Sequence, residues 1–185
     1  MLTVSLLLCL AVAGMPTGAT QERLGATIGA FVEEMEPISM RGLTGVYVTV
    51  EETEPGAEEH GLTTAQLQAD VESRLRKARI RVLTEEEWNS APGGPCLSVA
   101  VNTSKLVERD TYVYSVRMKL MQQVTLERSP IISLWATTWD EAALGGADTE
   151  DLRDVRRAVS ALLRTFIRDY RAENPIDRSS RREQR

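Results

Sequence analysis

Between Tyr112 and Leu126 the side chains alternate. Even positions carry Tyr112, Tyr114, Val116, Met118, Leu120, Val124 and Leu126, and odd positions include Ser115, Arg117, Lys119, Gln123 and Thr125. A period of two sustained this long requires a strand with one dry and one wet face, so a sheet organises the fold. The dry face needs a second layer. Leu152, Val155, Val159, Leu162, Leu163, Phe166, Ile167 and Tyr170 supply one, at helical spacing over about six turns, or ~35 Å at ~1.5 Å per residue.

The rest of the chain fits around this pair. Val46–Val50 and Ile80–Leu83 read as short strands, Cys96–Thr103 as an alternating strand, and Ile131–Trp139 as the last strand. Thr63 followed by Gln66 predicts a capped helix whose stripe is Leu67, Val71, Leu75 and Ala78, with Asp70, Glu72, Arg74, Arg76 and Lys77 solvating the remainder. Thr84 with Glu87 predicts a second, brief capped turn carrying Trp88, and Ala91–Pro95 is a breaker cluster. Gly145-Gly146 reads as a loop, with Asp148 or Thr149 capping the long helix. The expected fold is α+β: a two-layer sandwich with a mainly antiparallel sheet of about five strands and two principal helices on one face. Its first strand–helix–strand unit would be a right-handed parallel crossover.

Four segments follow from composition. Residues 1–20 read as a signal peptide, because the apolar run from Leu2 to Ala13 has h-region length and falls short of the roughly 20 residues that span a bilayer. Ala11-Val-Ala13 and Thr17-Gly-Ala19 offer small-x-small cleavage sites, although no Lys or Arg precedes the run; a buried amino-terminal helix is the alternative. Leu8 before Cys9 does not make a lipobox. Residues 21–41 read as a short helical segment weakened by Gly25 and Gly29 and ended by Pro37, residues 42–175 as a single α+β domain, and residues 176–185 as a disordered basic tail. The implied location is periplasmic or secreted, with no transmembrane span.

Catalytic chemistry finds little material. A formal charge of −5 from 27 acidic and 22 basic residues argues against a nucleic-acid coat. One histidine and two cysteines leave too few ligands for a zinc, haem or iron–sulfur centre, so no metal or cofactor is expected. His60 sits in an acidic loop, there is no G-x-S-x-G elbow, and Gly93-Gly94 and Gly145-Gly146 lack the lysine of a phosphate-binding loop. The acids Glu51, Glu52, Glu85–Glu87, Asp140 and Glu141 read as caps and solvated edges. Asn102-Thr-Ser104 is a glycosylation sequon at a strand end. Cys96 reads as a half-buried strand residue, with a thiol pair to His60 as the sharper alternative.

Surface is what remains. On the last strand Ile132, Leu134 and Ala136 point one way and Ile131, Trp135 and Trp139 the other. If the smaller set packs on the helices, Trp135 and Trp139 stand on the open sheet face near Arg117 and Lys119, a composition typical of interface hot spots. The competing arrangement has Phe31 and Val32 of the amino-terminal segment covering those rings.

From Gly61 through Leu83, and further through Val46–Val50, the Val116 strand and Asp151–Pro175, the chain resembles a group of short exported bacterial proteins with no assigned activity. That resemblance implies export and carries over no functional residues. In element order the chain is similar to small envelope domains such as the amino-terminal domain of TolB or the lipoprotein LptE, which implies partner binding; the missing lipobox departs from LptE. The expected function is an exported, non-enzymatic binding or adaptor domain of the bacterial cell envelope, with Arg117, Lys119, Trp135 and Trp139 contacting an envelope protein. The alternative is a carrier of a small apolar ligand held between sheet and long helix by Tyr114, Met118, Phe166 and Tyr170.

Overall fold

The computed structural model describes residues 37–53, 58, 62–106, 111–148 and 152–175. The expected signal peptide, the helix around Phe31, His60 and the basic tail lie outside them. The chain divides into residues 1–35 and 36–185, and every described residue belongs to the second unit.

A 3-10 turn, Pro37–Met40, leads to strand β1, Tyr47–Val50. Helix α1, Thr64–Lys77, and the short helix α2, Glu85–Ser90, precede β2, Cys96–Leu106. A long hairpin, β3 (Thr111–Leu126) and β4 (Ser129–Asp148), then hands over to α3, Arg153–Glu173. The sheet order is β1-β2-β3-β4, with β1 parallel to β2 and the other pairs antiparallel. The α+β class is as expected. There are four strands rather than about five, because the Ile80–Leu83 stretch makes a single parallel bridge, Val46 to Val82, and goes no further.

Both anticipated caps form. Thr63 accepts from the Gln66 amide, but the Gln66 side chain accepts from Arg156 instead of completing the box. At Thr84 and Glu87 both halves close. The apolar stripes of α1 and α3 pack side by side on one sheet face, joining Leu67, Val71 and Leu75 to Val48, Leu97, Val99, Val116, Met118 and Leu120. Burial at about 25 cal/mol per Å² makes this layer the main source of stability. The 3-10 turn belongs to it as well: Met40 is fully buried, and its carbonyl accepts from Asn174 at the far end of α3. Residues 37–41 therefore pack within the second unit.

Strand β4 outruns the sequence expectation by continuing through Gly145-Gly146 to Asp148. The glycine is there for proximity rather than for a turn. A Cβ on Gly145 would lie 2.5 Å from the Tyr114 hydroxyl and 2.6 Å from its ring, so the tyrosine lies over the bare strand. With Asp148 held in the strand, α3 starts at Arg153, and Leu152 before it makes no side-chain cap.

Candidate functional site

The pleat assigns each residue of β3 to a face. Met118 and Leu120 point to the helices, and Arg117, Lys119 and Met121 point away from them. In β4 the same rule is interrupted. Leu120 pairs with Trp139 but Met121 pairs with Thr137, so Thr138 is an extra residue. A bulge of one residue reverses the facing of everything beyond it. Thr138 is held there by hydrogen bonds: its hydroxyl accepts from Gln122 Nε2 at 2.7 Å, and its carbonyl accepts from Ser39 Oγ at 3.1 Å.

This bulge separates the two tryptophans that the sequence placed together. Trp139, opposite Leu120, faces α3 and is only 2% exposed. It meets Phe166 edge-on at 5.2 Å and donates to the Asp169 carboxylate. The expectation that Trp139 stands on the open face is corrected accordingly. Trp135, opposite Gln123, remains on the open face and is 47% exposed.

Arg117 and Lys119 are on that face too, but away from Trp135. Arg117 is six residues from Gln123 along β3, about 20 Å at the antiparallel rise. Its guanidinium is engaged by Asp140, with Nε and Nη2 donating to one carboxylate oxygen at 2.9 and 2.7 Å. Tryptophan and arginine thus do not form one hot spot.

Trp135 finds aromatic company instead. Helix α2 folds Trp88 over the open face, where its ring stacks on Tyr47 at 5.0 Å and lies 5.7 Å from Trp135. The loop after α2 makes this approach possible. Gly94 adopts φ +49, where a Cβ would come 2.7 Å from the Trp135 ring, and its carbonyl accepts from Trp88 Nε1 at 2.7 Å. Trp88, Asn89, Ala91, Gly94, Gln123 and Trp135 enclose a hollow of about 100 Å³. Sequence reasoning missed Tyr47 and Trp88 as site residues; the signal was Gly93-Gly94 directly after a capped turn carrying tryptophan.

Beyond Cys96, which pairs with Met121, strand β2 is absent, and β3 and β4 continue as a two-stranded arm. The outer edge of β4 has no strand partner among the described residues. Along it Ile131, Ile132, Leu134 and Trp135 are exposed, Ile131 almost completely at 95%. A long, apolar free edge is what proteins ordinarily blunt, and an isolated pair of strands is marginal in water.

The other candidates resolve differently. Tyr114, Met118, Phe166 and Tyr170 are members of the buried core, and the Tyr170 hydroxyl donates to the Leu43 carbonyl at 2.6 Å, so ordinary packing occupies the place assigned to a carried ligand. Burial pushes the Cys96 thiol up to about 11, the reverse of what a nucleophile requires. Among the described residues no three His, Cys, Asp or Glu side chains gather as a metal site, and no helix is long and apolar enough to cross a membrane.

No family model matches this chain, and no curated protein matches it. Among solved structures, a dodecamer of a PelC variant from Paraburkholderia phytofirmans aligns at 17% identity and a TM-score of 0.38, covering 70% of this chain and 92% of that one. A likeness of that degree carries no argument about function.

Proposed function

We propose that this chain is an exported, non-enzymatic adaptor domain of the bacterial cell envelope, and that it binds a protein partner by adding a strand to the free edge of β4. The observation that carries the reading is the apolar arm of β3 and β4, with Ile131, Ile132, Leu134 and Trp135 exposed along an edge lacking a strand partner among the described residues. Main-chain groups at such an edge supply affinity, and alternate side chains supply selectivity. The Tyr47–Trp88–Trp135 stack would anchor the partner next to that edge, as aromatic rings do at interface centres. Export to the periplasm or beyond is supported by the apolar run from Leu2 to Ala13 with its small-x-small sites.

The test is cross-linked capture by the full chain from envelope extract, followed by reconstitution with the purified partner. Ile132→Lys with Trp135→Ala should abolish a saturable complex, whereas Arg117→Ala should leave it intact. Equal binding by the edge variant would overturn the assignment to β4. Fractionation that leaves the full chain in the cytoplasm would overturn the envelope reading.

A further inference from the structure

The free edge of β4 carries an uncharged window. From Ser129 to Trp139 there is no Asp, Glu, Lys or Arg, in a chain of which 26% is charged. Exposed edges are ordinarily blunted by a lysine or an inward-pointing charge, and this window has neither. With a net charge of −5, copies of the chain repel one another on average. Along this window two copies meet without like charges opposed.

The two ends of the window differ. Glu127 and Arg128 form the hairpin turn before it, and Asp140 and Glu141 follow it. Bulk is graded in the same direction. The pairing jumps from Leu126–Ser129 to Thr125–Ser133, so Pro130, Ile131 and Ile132 at the turn end have no partners on β3. Leu134 and Trp135 stand in the middle, and the smaller Ala136 and Thr137 come next. A parallel copy would set isoleucine against isoleucine and Arg128 against Arg128. An antiparallel copy sets the isoleucines towards Ala136 and Thr137, and brings the exposed Arg128 to the acidic end. Each match occurs twice, because such a pair has a two-fold axis through its middle.

The arm gains from the same pairing. Beyond Cys96, β3 and β4 continue without β2, and two strands alone are marginal in water. Two copies joined at β4 make a four-stranded ribbon in which main-chain groups of the window find partners and apolar side chains leave water.

We infer that, when no envelope partner is bound, the β4 edge is held by a second copy of this chain, paired antiparallel between Ser129 and Trp139. The inference rests on the reading of β4 as a strand-accepting edge, and adds a regulation to it. An edge takes one strand, so partner capture competes with self-pairing and is favoured by dilution.

Sedimentation velocity of the purified full chain, over about a hundredfold range of concentration, should show monomer passing to dimer and no further. Ile132→Lys should weaken the dimer by about tenfold or more, because it brings two ammonium groups into one short pairing. Arg117→Ala should leave it unchanged.

Cysteine scanning in a Cys9→Ser chain, whose Cys96 is buried, reads the pairing itself. Ser133→Cys, Leu134→Cys, Trp135→Cys and Ala136→Cys are oxidised one at a time. Opposed residues of an antiparallel pair have Cα atoms about 4.5–5.5 Å apart, within disulfide reach, and only a residue at the two-fold axis opposes itself. Cross-linking should therefore peak at one position and fall on either side. Equal yields along the window, no cross-link, monomer at every concentration or open-ended assembly would overturn the proposal. A monomer that still captures a partner through β4 would overturn self-pairing and leave the adaptor reading standing. A dimer whose edge variant captures the partner as well as wild type would support self-pairing and remove the adaptor assignment to β4. A complex holding dimer and partner together would overturn the competition.

Discussion

Trp139 Nε1 donates to Asp169 Oδ2 at 3.2 Å across the buried seam between β4 and α3. The second carboxylate oxygen accepts from Arg168 Nε at 2.7 Å, so one side chain ties the indole inside to a guanidinium at the surface. The bond joins the long helix to the inner face of β4, the side opposite Trp135.

Trp139→Ala should cost about 3–5 kcal/mol, the range for deleting a large buried ring. Asp169→Ala should cost about 1–3 kcal/mol, by leaving a buried N–H without its acceptor. Urea unfolding of the two variants measures both. A loss within about 0.5 kcal/mol for Asp169→Ala, ordinary for a surface change, would show that the bond contributes nothing.

Gly94→Ala should destabilise by about 1–2 kcal/mol from its left-handed backbone alone. The new methyl group would also meet the Trp135 ring, which is free at its outer end and should swing outward. Greater acrylamide quenching of tryptophan fluorescence, together with weaker partner binding, is the expected result. Unchanged stability and quenching would mean that Gly94 is neither strained nor in contact.

Cys96 should react slowly. With the thiol raised from 9.0 to about 11 by burial, only about one molecule in a thousand is thiolate at pH 8, against about one in ten when unfolded. In a Cys9→Ser chain, alkylation of the native protein should be about a hundredfold slower than of the denatured protein. The raised value also sets a sign: above pH 9 the unfolded chain releases a proton that the folded chain keeps until about pH 11. Stability should therefore decline through that window. Equal alkylation rates in native and denatured protein would contradict this.

Glu87 should titrate below the ordinary carboxylate value, held down first by the Thr84 amide and then by Arg81. Its contribution to stability is present above the unfolded value and disappears as pH falls through the lower folded one. Thr84→Ala removes the hydroxyl cap, at about 1 kcal/mol, but keeps the amide. The carboxyl should therefore stay low in that variant and rise partway in Arg81→Ala. Carbon-detected NMR titration reads both, and an unshifted Glu87 in the wild type would refute the capping account. Because α2 carries Trp88, the same cap supports the aromatic stack.

What the sequence determined by itself was periodic and local. The alternation from Tyr112 to Leu126, the stripes of α1 and α3, and the caps at Thr63 and Thr84 each depend on residues within a few positions of one another. They sufficed for the α+β class and for most of the core. The site depended on distant pairings. One extra residue, Thr138, puts Trp139 inside and leaves Trp135 outside, although their even spacing reads as one face; a bulge is a property of two strands and is invisible in either. Tyr47 and Trp88 meet only because parallel pairing of β1 with β2 brings the α2 loop over the open face. Register and helix packing are chosen by the whole core at once, and those choices decided which side chains came together.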